Sequence, residues 1–80
     1  MTRVCIADSF PIVISGIQSY FQGNSKIEIV AKSNNLETLL RELNAKKIDV
    51  LILEIELDGL SSIRDIKSLL KDFPETKIIL

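Results

Sequence analysis

This sequence predicts an α/β fold, a doubly wound parallel sheet with helices on both faces. Strand-like and helix-like segments alternate from end to end, as in successive right-handed βαβ units. The strand-like segments are nearly unbroken apolar runs, which suits strands buried on both faces. The helix-like segments are apolar on one side only.

The first run, Val4-Cys5-Ile6-Ala7, follows Arg3 and ends at Asp8. Ser9-Phe10-Pro11 reads as a helix start, a serine in a capping position followed by a proline in the first turn, where its missing N–H costs nothing. Val13, Ile17, Tyr20 and Phe21 then fall at helical spacing, and Gly23-Asn24 ends that helix. A second strand is expected over residues 27–31. Asn34 followed by Glu37 has the form of a capping box, and Leu36, Leu39, Leu40 and Leu43 make one helical face. Residues 48–55 are the most apolar stretch and read as a central strand, followed by a turn at Asp58-Gly59. A third helix directs Ile63, Ile66, Leu69, Leu70 and Phe73 to the core and stops before Pro74. Lys77-Ile78-Ile79-Leu80 then begins a fourth strand.

Eighty residues make one domain. With 13 Ile and 11 Leu but no Trp, one Tyr and three Phe, the core is aliphatic and offers little surface for stacking bases. A net charge of −1 gives this segment no footprint for a phosphate backbone. Cys5 is the only cysteine and there is no histidine, so an internal disulfide, a zinc site of His and Cys, and histidine-based catalysis are all excluded. The first turn has no glycine to admit a pyrophosphate, and neither a dinucleotide fingerprint nor a Walker motif is present. No signal peptide or membrane span is expected, and a reducing cytoplasm fits the lone cysteine. A buried strand reaching only its fourth residue at Leu80 leads us to expect a fragment of a longer chain, and its open apolar edge leads us to expect self-association.

Ligands of open parallel sheets bind beyond the carboxyl ends of the strands. Asp8 closes the first strand here, and Glu54, Glu56 and Asp58 crowd the end of the third. If those strands are neighbours, the carboxylates form a pocket suited to a hard cation such as Mg²⁺. The competing reading makes Asp8 a turn capper and residues 56–59 a solvated loop.

The segments Val4-Cys5-Ile6-Ala7-Asp8-Ser9-Phe10-Pro11-Ile12-Val13, with Ser15-Gly16-Ile17, and Asp49 to Leu60 resemble receiver domains of bacterial two-component response regulators. Pro11-Ile12-Val13 and the stretch from Phe73 to Ile79 resemble the NarL/FixJ branch, whose regulators carry a C-terminal LuxR-type helix-turn-helix. The resemblance spans all 80 residues. It implies a flavodoxin-like sheet in the order 2-1-3-4, truncated after βαβαβαβ, with residues 1–80 as the N-terminal part of a receiver and the DNA-binding output domain absent from this chain. The family's chemistry is phosphoryl transfer from a histidine kinase to an aspartate at the end of the third strand, with Mg²⁺ held by two acids after the first. By that resemblance Asp8 matches the first acid, Ser9 stands in place of the second, Glu54 occupies the phosphoacceptor position, and Glu56 falls where a backbone carbonyl ligates the metal. Leu57-Asp58 replaces the usual Met-Pro, and the Ser/Thr and Lys that sense the phosphate would lie beyond Leu80.

The departures at Ser9 and Glu54 both oppose phosphotransfer. Glutamate moves its carboxylate outward by roughly 1.5 Å, and misplacement on that scale costs about 10²-fold in a positioned reaction. Serine removes one charge from the metal site. The expectation is therefore a degenerate, phosphorylation-independent receiver, not an enzyme, that acts through contacts with a second copy or another response regulator. Any DNA contact would come through a C-terminal domain, and no membrane is involved. No cofactor is expected; Mg²⁺ would bind only if the acidic pocket still functions, with Asp8 as the one candidate ligand. Glu54 is either a mimic of the charged state or tolerated drift, and Ser9 either a degenerate ligand or a helix cap. Two alternatives stand beside this reading: a competent phosphoacceptor served by a histidine kinase, and a stand-alone adaptor for a complete regulator.

Overall fold

The computed structural model describes all 80 residues. The elements follow in the order β1 (Thr2–Ala7), α1 (Pro11–Phe21), β2 (Ile27–Ser33), α2 (Leu36–Ala45), β3 (Val50–Leu53), α3 (Ile63–Asp72) and β4 (Lys77–Ile79). The strands form one sheet in the order β2-β1-β3-β4, with every pair parallel. Class, element sequence and strand order are those expected. Between β1 and β2 the register shifts at Val4/Cys5, which sets Val30 outside the regular pairing.

The central strand is shorter than its apolar run. Asp49 precedes it and acts as a clasp: its Oδ2 accepts from the Arg3 N–H at 2.8 Å, while its own N–H donates to the Arg3 carbonyl. After Leu53, the Glu54 N–H donates once more to the Ala7 carbonyl, and the chain then turns with Leu57 N–H bonded to the Glu54 carbonyl. That turn carries Ile55 into solvent and Leu57 into the core. Apolar composition alone could not distinguish the two.

The larger core cluster lies on one face of the sheet, while Val4 and Ile6 of β1 are buried on the other. Cys5, Ala7, Leu51 and Leu53 from the central strands meet Leu39 and Leu43 of α2 and Leu69 of α3, with Leu57 and Leu60 from the β3–α3 loop closing the end. Burial of this aliphatic set supplies the main driving force for folding. On α3 the residues packed inward are Ile66, Leu69 and Phe73, whereas Ile63 and Leu70, expected on the same face, are exposed. Leu40 likewise lies at the margin of the α2 stripe.

The opposite face is covered by α1 alone, and no residue of α1 is fully buried. Ile17 and Phe21 are half-buried as expected, but Val13 lies at the margin, 38% exposed, and Tyr20 stands out in solvent, its ring edge-on to Phe21 at 5.1 Å between centroids. One helix cannot cover a face four strands wide, so its apolar residues are only partly enclosed.

Two expected caps are corrected. Phe10, not Ser9, is the N-cap of α1, and no side chain caps that end; Pro11 takes the first turn as expected. The α2 cap is Asn35, whose side chain accepts from the Thr38 N–H at 2.9 Å, while Asn34 Oδ1 accepts from the Asn35 side-chain amide. The cap thus lies one residue later than the Asn34–Glu37 spacing predicts, and it is a side-chain cap by Asn35 alone. A full capping box that the sequence reading did not single out opens α3, where Ser62 Oγ accepts from Arg64 and Asp65 Oδ2 from the Ser61 and Ser62 amides. These bonds, with one from the Ser61 hydroxyl, hold the Asp65 carboxyl below its ordinary range.

Cys5 is fully enclosed, and its thiol is pushed up to about 12, first by burial and then by the Glu42 charge, with Lys46 acting in the opposite direction. A raised thiol pKa favours the folded state fully below the unfolded value of 9.0, and that contribution is lost as pH climbs from there toward the folded value. At pH 10 the loss should be about 1.4 kcal/mol. Urea melts at pH 8 and pH 10 should show this extra decline in the native protein and not in Cys5→Ala; equal declines would refute it.

Candidate functional site

The site is built by strand adjacency. β1 and β3 are neighbours with Ala7 opposite Leu53, so Asp8 and Glu54 emerge side by side at the carboxyl edge of the sheet. The condition for an acidic pocket at those strand ends is thus met. Asp8 is only 6% exposed, and its own N–H donates to the Ser33 carbonyl at the end of β2. Its Oδ1 accepts from the Phe10 N–H at 2.8 Å, so Asp8 caps the β1–α1 turn, the role set against the metal-ligand reading.

Ser9 caps nothing in its own helix. Its Oγ accepts from the Asp58 N–H at 2.8 Å, joining the β1–α1 turn to a loop 49 residues further along. Glu54 is half-buried, and its Oε1 accepts from the Glu56 N–H at 3.2 Å, folding the carboxylate back on its own loop. Glu56 and Asp58 are exposed. The four acids therefore gather at one edge of the sheet without converging, and no three acidic, cysteine or histidine side chains are grouped as metal ligands.

Asp8 and Glu54 flank a pocket of about 150 Å³ under α1. Its remaining lining is wholly apolar and includes Ile6, Val13, Ile17, Ile52 and Leu80. An apolar wall beside two carboxylates differs from the open acidic crevice that the sequence suggests. Residues whose importance the sequence did not signal lie at the β2–α2 junction: the Leu36 N–H donates to the Asp58 carbonyl at 2.8 Å, and Asn35 and Asp58 form an isolated parallel bridge. Only Gly59, at φ +92°, left a trace of this close approach in the sequence.

With this geometry in view, the chain can be set beside known proteins. Residues 4–80 match the family described as the response regulator receiver domain. The uncharacterized transcriptional regulatory protein YhcZ of Bacillus subtilis is 27% identical over 77 residues, covering 96% of this chain and 36% of YhcZ. The Fimbriae Z protein of Salmonella typhimurium is 36% identical over 69 residues, covering 82% of this chain and 33% of that protein. A solved structure of the RcsB response regulator of Salmonella typhimurium superposes with a TM-score of 0.93 at 28% identity, covering 99% of this chain and 42% of that one. The chain spans about a third of the length of these two relatives. A parallel sheet in the order 2-1-3-4, acids at the ends of its two central strands and a family match over nearly every residue lead to one assignment: the chain belongs to the response regulator receiver domains, among relatives of the NarL/FixJ type.

Proposed function

We propose that this receiver works without phosphorylation, as the signalling module of a transcription regulator that acts through protein contacts. In this reading Glu54 holds the phosphoacceptor-equivalent position, and Asp8, Ser9 and Glu56 hold the positions of the acidic pocket. The observation that carries it is the engagement of Ser9, whose hydroxyl stands where a second acid is required and accepts from the Asp58 N–H. Support also comes from Glu54, whose Oε1 accepts from the Glu56 N–H in its own loop.

The donor set does not fit Mg²⁺. That ion demands near-octahedral oxygen ligands and is usually held through one or two carboxylates. Here one Asp8 oxygen caps a turn, Ser9 offers a neutral hydroxyl already accepting a hydrogen bond, and Glu54 is folded onto its loop. The partners proposed are a second copy or another response regulator, with DNA reached only through a further domain; residues 1–80 form the N-terminal part of the receiver. The same reading gives the module no enzymatic activity of its own and a cytoplasmic setting. No helix is long and apolar enough to cross a membrane.

Incubation with acetyl phosphate and Mg²⁺, followed by intact mass, tests the reading directly. The mass should stay unchanged. A stable gain of one phosphoryl group mapped to Glu54 would overturn the proposal in favour of a competent phosphoacceptor.

A further inference from the structure

Asp58 belongs to no helix or strand, yet both of its backbone hydrogen-bonding groups are taken by other loops. Its N–H donates to Ser9 Oγ in the β1–α1 turn, and its carbonyl accepts from Leu36 at the start of α2, both at 2.8 Å. The segment on either side is anchored by the buried side chains of Leu57 and Leu60. Gly59 turns immediately after, in the left-handed region, where a β-carbon would come within 3.0 Å of Leu36 Cβ. The β1–α1 turn, the start of α2 and the β3–α3 loop are thereby tied at one residue.

We infer that Ser9 is a built-in latch, fixing the β3–α3 loop in one arrangement by its hydrogen bond to the Asp58 N–H, with no metal or phosphoryl group needed to hold it. The inference rests on the proposed reading of this module as phosphorylation-independent, and it names the device that replaces the switch. A short neutral side chain suits the task. Its hydroxyl reaches the amide directly and brings no charge that would need a counter-ion beside Asp8 and Glu54. A hydrogen bond between two loops also restrains an otherwise irregular backbone, the kind of segment that opens first in a native protein.

Amide hydrogen exchange on the intact protein, resolved at Asp58, tests the latch in the native protein, Ser9→Ala and Ser9→Thr. Loss of one hydrogen-bond acceptor should speed exchange at Asp58 by about tenfold in Ser9→Ala. The amides of β1 and β2 should keep their native rates. Ser9→Thr retains the hydroxyl and should remain slow, and the native rate should be the same in EDTA as in Mg²⁺. The latch is overturned if the native Asp58 amide is unprotected, if Ser9→Ala leaves it unchanged, or if that variant loses protection uniformly across the sheet. Intact mass after acetyl phosphate treatment of the same native sample separates the two ideas. A phosphorylated chain with a protected Asp58 sinks the proposed function and leaves the latch; an unphosphorylated chain with an unprotected Asp58 does the reverse.

Discussion

Truncating Leu51 to alanine should lower the unfolding free energy by roughly 2–5 kcal/mol, the cost of deleting a fully enclosed aliphatic side chain and leaving part of its volume empty. Leu51 is 0% exposed at the middle of β3, between Cys5 on β1 and Ile78 on β4, and faces the leucines of α2 and α3. Paired strands flank it on both sides, so little can collapse into the gap. A chain of 80 residues has a total stability of only about 4–12 kcal/mol, and the variant should sit close to its unfolding threshold. Urea denaturation followed by circular dichroism measures the change. Ile12→Ala, at a position 81% exposed on α1, provides the contrast and should shift stability by no more than about 0.5 kcal/mol. A Leu51→Ala cost below about 1 kcal/mol would mean that the core is not where the structure places it.

The location of that core shows what could be read from the residues. The apolar runs at Val4 to Ala7 and from Ile48 onward mark the central strands because a strand buried on both faces has no polar side to display. The leucines of α2 mark its inner face, since helical spacing permits only one. The α1 face misled because periodicity states which side of a helix is apolar but not how much sheet that side will find beneath it. Val13 and Tyr20 keep the spacing of core residues and remain exposed. The shifted Asn35 cap is a smaller failure of the same kind: two adjacent asparagines offer equivalent chemistry, and only the backbone entry angle decides between them.

The candidate site was legible in its address and not in its wiring. Asp8 and Glu54 end adjacent strands: alternation of elements implies parallel pairing, while the strand order that makes β1 and β3 neighbours was implied only by the receiver resemblance. The bond from Asp58 to Ser9 spans 49 residues and depends on how two loops meet. No local pattern encodes it. Ser9 precedes a proline-led helix start, so local reasoning favours a cap, and tertiary geometry overrides that preference.

Gly59→Ala should cost roughly 2–4 kcal/mol, because a left-handed backbone strains any residue with a β-carbon and overpacking adds a further penalty. The first part follows from φ +92°. The second follows from the contact a β-carbon would make, 3.0 Å from Leu36 Cβ and 3.5 Å from the Leu36 backbone nitrogen that bonds the Asp58 carbonyl. The protein contains its own controls. Gly23 also has positive φ, at +82°, but a β-carbon there meets nothing within 4 Å, so Gly23→Ala should carry the backbone strain alone. Gly16 lies inside α1 with open space around it and no positive φ, so Gly16→Ala should stabilise by about 0.5–1 kcal/mol. The ordering of the three urea midpoints therefore separates backbone strain from close packing. If Gly59→Ala and Gly23→Ala cost the same, the approach of the β3–α3 loop to Leu36 is not tight. A larger loss at Gly59, accompanied by faster exchange of the Leu36 amide, would show that the loop beside Glu54 is held from the α2 side as well as from Ser9.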